Sequence, residues 1–288
     1  MADPKLIKFF RDKLRRVRGS FGAEQSPKRW RTNIVFLMVL WVILLFASVT
    51  ILSSVITPFL RSLQTENVVS LDWAGYAVSS TQLAPQPQVL GVNGSWVVPK
   101  ISPSVGDTYS AVWIGIGGQS DVGGQQDNTL IQCGTEHDFT SVQEQYSVWY
   151  EMLPADAITI DTVRALPGDE IKASISLVES TTNTWSIAID NLSSGQSFRQ
   201  NFVYNSSKLS AEWIVERPLV NNRVTNLADF GSITFTDAKA QIDNTSATIS
   251  GFPNYEILMN NRNSVILASV SNLSSDGSSF SVTFGQSS

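Results

Sequence analysis

The spacing of apolar and polar positions changes twice along this 288-residue chain. The first segment includes "KLIKFFRDKLRRVR", where Leu6, Ile7, Phe9, Phe10, Leu14 and Val17 fall roughly on one helical face among cations. That pattern fits a helix lying on an anionic membrane surface, and a solvated basic tail fits it nearly as well. Next comes "IVFLMVLWVILLFASVTILSSVI", Ile34 to Ile56, which is 23 residues without a charge. A helix needs about 20 such residues to cross a bilayer. After a short stalk the period becomes two, in runs such as "DEIKASISLVES", "TWSIAID", "AEWIVE", "SITFT" and "SFSVTF". Gly, Asn, Ser, Asp or Pro separates these runs, and no segment reads as a helix. Roughly fourteen such runs predict an all-β fold, a two-sheet antiparallel β-sandwich of jelly-roll type. The expected organisation is a basic segment over 1–31, a transmembrane helix over 32–57, a stalk over 58–68 and a sandwich over 69–288.

Charge sharpens that division. Residues 1–31 carry 10 Lys/Arg and 3 acids, whereas residues 66–288 carry 9 Lys/Arg and 22 acids, a net of −13. The basic flank predicts a cytoplasmic N-terminus and a sandwich outside the cell membrane, held by a single span. The competing reading is a cleaved signal peptide, but its apolar core is usually about 7–15 residues. Five N-x-[ST] sequons, at Asn93, Asn191, Asn205, Asn244 and Asn272, agree with an external location. The acidic outer part argues against a nucleic-acid partner. With one cysteine, Cys133, no intramolecular disulfide can form. Nothing in the pattern calls for an oligomer, so a monomer is expected.

The residue inventory removes several chemistries. A single histidine, His137, and a single cysteine cannot build an ordinary zinc site, so no metal and no cofactor are expected. On one extended strand Cys133 and His137 would stand about 13 Å apart, too far for a dyad. No G-x-S-x-G elbow occurs. Carboxylates, amides and aromatics remain. Alternation puts Ala111, Trp113 and Gly115 on one face, Trp149, Glu151 and Leu153 on another, and Glu212, Ile214 and Glu216 on a third. Faces that mix Trp, carboxylates and small residues look like the floor of a groove. The strand "LIQCG", Leu130–Gly134, adds Gln132, a carboxamide that is costly to bury unless it is paired.

These segments resemble a known family. "DWAGY", "GSWVVP", "WIGIGG", "LIQCG", "VWYEMLP", "PGDEI" and "AEWIVE" appear in the order seen in the glutamic peptidases, or eqolisins, across most of residues 70–240. The resemblance implies a sandwich with a substrate cleft on one concave face, acting on polypeptides at acid pH. It implies Gln132 and Glu216 as the catalytic pair. Glu216 would take a proton from water and return it to the leaving nitrogen, and Gln132 would donate to the developing oxyanion. Trp113, Glu136, Trp149 and Glu151 would be substrate-binding. Three positions depart from the family pattern: Gly117 stands where aspartate is usual, Glu136 replaces an aspartate, and Leu153 replaces an aromatic. The anchor and the lack of cystine are more like a prokaryotic, archaeal member than a secreted fungal one.

Plainer roles compete. Gln132 could bond neighbouring strand backbone, and Glu216 could be a surface carboxylate paired with Arg217. Trp73 and Trp96 read as core, and Cys133 as an inert core thiol. The rival function is a non-catalytic cell-surface carbohydrate-binding sandwich, which would need only the aromatic residues.

Overall fold

The computed structural model describes residues 65–80, 87–119, 127–141, 143–220 and 223–288. The expected basic segment and transmembrane helix lie outside the described residues, and no helix among those described is long and apolar enough to cross a membrane. The described part contains eighteen strands. They are β1 Thr65–Ser70, β2 Trp73–Ser79, β3 Val89–Val97, β4 Thr108–Gly117, β5 Leu130–Thr140, β6 Gln143–Met152 and β7 Ile158–Thr159. Then follow β8 Glu170–Glu179, β9 Thr184–Asn191, β10 Gln196–Val203, β11 Ser210–Glu216, β12 Leu219–Val220 and β13 Arg223–Val224. The last are β14 Ser232–Ile242, β15 Thr245–Thr248, β16 Asn254–Asn260, β17 Ile266–Val270 and β18 Phe280–Phe284. The only helical turn described is a 3₁₀ turn at Ile249–Gly251.

One layer runs β18-β17-β16-β2-β11-β4-β5-β6-β7 and the other β3-β8-β9-β10. β14 belongs to both. Its first half, Ser232–Phe235, pairs with β18, and its second half pairs with β3 and β15. The change of layer falls at a register break between Thr236 and Lys239, where Asp237 takes a positive φ of 52°. Asn93 Nδ2 donates to the Asp237 carbonyl at 2.7 Å, satisfying a group that the break frees from the ladder. Most pairs are antiparallel, as the alternation predicts. The exception is β1, which lies parallel to β16 over six residue pairs, Thr65↔Asn254 to Ser70↔Met259. Residues 65–68, expected in the stalk, are therefore sheet: a parallel partner 189 positions away leaves no local sequence signal.

Between the layers lies an apolar core that includes Trp96, Ile114, Ile131, Cys133, Ile175, Trp185 and Trp213. Two indoles pin the layers across it. Trp96 Nε1 donates to Thr135 Oγ1 at 3.0 Å, and Trp213 Nε1 donates to the Asn93 carbonyl at 2.8 Å. Trp96 and Cys133 are core, as expected, and burial pushes the Cys133 thiol far up. His137 is buried too, with Nε2 2.8 Å from Thr135 Oγ1, and burial lowers it to about 3. A second apolar cluster covers the opposite face of the first layer and contains Ala77, Ala111, Trp113, Leu130, Trp149 and Ile214. β4 is thus covered on both sides, which explains its nearly unbroken apolar run.

Candidate active site

The strand order β2-β11-β4-β5-β6 brings the singled-out segments together, and paired residues share a face. Three rows result. Glu216 is level with Ala111 and Glu136; Ile214 with Trp113, Gly134 and Trp149; and Glu212 with Gly115, Gln132 and Glu151. The middle of this face is built from Ala111, Gly115 and Gly134, and the larger side chains stand around it. Gly134 is forced: a Cβ there would meet the Val112 carbonyl oxygen and lie 2.7 Å from Trp113 Cβ. Over this floor opens a cavity of about 430 Å³, lined by Gln132, Glu136, Glu151 and Glu216, and also by Asp72, Trp73, Trp149 and Leu153.

Each member of the expected pair is braced by a second side chain. Gln132 is 5% exposed, and its Nε2 donates to Glu151 Oε2 at 2.5 Å. Among the described residues its Oε1 has no hydrogen-bond partner. Glu216 Oε2 accepts from Trp113 Nε1 at 2.6 Å. Glu216 keeps some access to the cavity but is densely surrounded. Burial, followed by the nearby Asp72, raises its carboxyl from 4.5 to about 8, against the hydrogen bonds from Trp113 and Trp73. Burial also raises Glu151, opposed by the bond from Gln132, and raises Glu136 with help from Glu151. Asp138, two residues beyond Glu136, rises from 3.8 to about 8 through burial and then Glu136. Among the described residues no Lys or Arg lines the cavity, so burial without a facing cation favours the protonated forms of Glu136, Glu151 and Glu216.

Glu136, Trp149 and Glu151, the expected substrate-binding residues, all line the cavity. Trp113 does not. It stands on the same face, fully buried among its neighbours there, and its N–H is taken by Glu216. Trp73, expected in the core, lines the cavity instead, edge-on to Trp113 with centroids 5.0 Å apart. The two indoles exchange roles because Trp73 sits at the start of β2, where the floor meets the cavity wall. Arg217 does not pair with Glu216; its Nη2 turns to the Leu71 carbonyl at 2.6 Å. Asp72, Pro218 and Leu219 also line the cavity and were not singled out. Their position next to Trp73 and Glu216 in the chain was the available signal.

The Peptidase A4 family matches residues 71–284, about three-quarters of the chain. The chain belongs to the Peptidase A4 family. Aspergillopepsin-2 of Aspergillus niger is 30% identical over 135 residues, which is 46% of this chain and 45% of that protein. The match therefore spans under half of that relative's length. Aspergilloglutamic peptidase from Aspergillus niger superposes with a TM-score of 0.52 at 27% identity, over 62% of this chain and 99% of the other. Scytalido-glutamic peptidase, solved with a transition state analog inhibitor, gives a TM-score of 0.60 at 19% identity, over 75% and 99%. The last likeness speaks to fold alone. Within this A4 chain the family-pattern departure at Gly117 has a structural reason. Gly117 has φ +90°, and a Cβ there would meet the Thr129 carbonyl oxygen, so no aspartate fits this backbone.

Proposed function

We propose that this A4-family chain is an acid-active endopeptidase that hydrolyses peptide bonds with Gln132 and Glu216, and that it needs no cofactor. One observation carries the reading: two side chains from strands separated by β4 line one cavity, each braced by its own partner, Glu151 or Trp113. Below about pH 8 Glu216 holds its proton. A neutral carboxyl has one oxygen that accepts and one O–H that donates. As water attacks the scissile carbon, Glu216 accepts a proton from the water and passes its own to the carbonyl oxygen. The second Nε2–H of Gln132 steadies that oxygen, and Oε1 receives a hydrogen bond from the water. In the collapse Glu216 protonates the leaving nitrogen and takes a proton from a hydroxyl, so it ends as it began. This differs from an ionised base in one respect: activity persists in acid and is lost as pH rises through about 8.

The test is cleavage of a fluorogenic peptide at pH 3–5. In Glu216→Gln the donating O–H is lost, and turnover should fall to background in folded protein. In Gln132→Ala it should fall about 10²–10³-fold, the usual effect of one oxyanion donor. Wild-type rates from folded Glu216→Gln protein would refute the assignment. The carbohydrate-binding alternative needs open aromatic platforms, whereas Trp113 is 0% and Trp149 7% exposed.

We also propose that the chain is a monomeric, archaeal-type membrane protein anchored by Ile34–Ile56, with the sandwich outside. The support is the uncharged run and its basic flank. Protease added to intact cells should remove the sandwich and spare an N-terminal tag; a protected sandwich would refute this topology.

A further inference from the structure

Of the nine Lys/Arg side chains in residues 66–288, three line a single cavity of about 500 Å³: Arg217, Arg223 and Arg262. Among the described residues no Asp or Glu lines it, although this part of the chain carries a net charge of −13; Asp72, next to Leu71, is the one carboxylate that acts electrostatically on Arg217. Arg217 is only 7% exposed; its Nη2 is held by the Leu71 carbonyl, and its Nε has no hydrogen-bond partner among the described residues. A buried guanidinium N–H without a partner, in a cavity that two further arginines also line, is suited to receive an acceptor. Ser288 also lines the cavity, and a main-chain oxygen of this residue accepts from Gln286 Nε2 at 3.0 Å.

We propose that Arg217, Arg223 and Arg262 bind an oxyanion group, a carboxylate or a phosphate. Guanidinium forks match the paired oxygens of both, and three forks around one cavity favour a group with several acceptor oxygens. The site adjoins the cleft through the chain itself. Arg217 follows Glu216, and Leu71, which lines the arginine cavity, precedes Asp72 of the cleft. Arg223 lies on β13, paired to β12, and Leu219 of β12 lines the cleft together with Pro218. A bound anion ties this hairpin to Arg262, in the turn between β16 and β17, and so fixes one wall of the cleft. Binding is independent of the peptidase reading; the effect on cleavage rests on it.

The experiment titrates the full-length protein with inorganic phosphate at constant ionic strength, against chloride, by calorimetry and thermal melting. A parallel arm uses a short acidic peptide with a free C-terminal carboxylate and the same peptide amidated. Saturable phosphate binding and a raised melting temperature are expected. Arg223→Ala and Arg262→Ala, both at exposed positions, should each weaken binding at least tenfold. A free inorganic anion is the ligand if phosphate binds and neither peptide does. A peptide carboxylate is the ligand if the acid peptide binds, the amide does not, and phosphate competes. Binding no stronger than chloride in both arms, or binding unchanged by both substitutions, overturns the site. Phosphate should also shift the KM for peptide cleavage in the wild type and not in Arg262→Ala. Anion binding without any cleavage would count against the peptidase reading alone; cleavage without anion binding would count against this site alone.

Discussion

Trp113→Phe isolates the hydrogen bond that holds Glu216. The ring stays aromatic, and the N–H at 2.6 Å from Glu216 Oε2 is removed. A hydrogen bond to an ionised group contributes about 1.5–3 kcal/mol, against about 1 kcal/mol for a neutral pair. The bond therefore favours the carboxylate over the acid by about 0.5–2 kcal/mol, or about 0.4–1.5 in pKa. Removing it raises Glu216 further. If the protonated carboxyl is the working form, the alkaline limb of kcat/KM should move up by about one pH unit. The assay is peptide cleavage from pH 3 to pH 10, with a melting curve at each pH, because the lost ring atoms leave a small void at a fully buried position. An alkaline limb that stays in place, or moves down, in folded Trp113→Phe would refute the reasoning. An acidic limb that moves up instead would restore an ionised Glu216 acting as base.

Two further outcomes follow from the same residues. Glu216 and Asp138 both rise to about 8 on folding, and Glu136, Glu151 and Glu212 also rise. The folded state therefore binds protons more tightly than the unfolded chain, so this stabilisation is complete below about pH 4 and is lost as pH climbs towards 8. Melting temperature should be highest near pH 4 and fall towards pH 8; a rise over that interval would contradict the burial of these carboxyls. Gly134→Ala forces a Cβ against the Val112 carbonyl and Trp113. It should destabilise by about 1–3 kcal/mol or more, measured by urea unfolding, and an unchanged midpoint would exclude the close approach.

The faces that form the site were legible because each depends on alternation within one strand. Glu212, Ile214 and Glu216, like Ala111, Trp113 and Gly115, needed no partner to be assigned. Which strand lies beside which was not legible. Alternation cannot tell that β4 stands between Gln132 and Glu216, nor that the rows align Glu151 with Gln132 and Ala111 with Glu216. The exchange of Trp73 and Trp113 has the same origin, since both indoles are on the correct face and only the cavity's position separates wall from floor. β1 was missed because "TENVVS" has little alternation of its own and takes its order from β16. Gly117 shows the reverse case, in which a departure visible in the sequence became explicable once its φ and its neighbour Thr129 were known.

Under the proposed peptidase reading, the sharing of β14 between the two layers bears on how the chain would survive its own activity. Proteolysis needs an extended, unpaired segment, and a sandwich of separable sheets could expose one by letting a single layer open. Here neither layer can detach without breaking β14, because Ser232–Phe235 and Lys239–Ile242 are ladder residues of different sheets on one continuous strand. Separation of the layers is therefore coupled to the breaking of β14, so neither layer opens as an independent unit. Amide hydrogens on both halves of β14 should therefore exchange at one common, slow rate, which under the proposed peptidase reading makes the strand a lock against self-digestion.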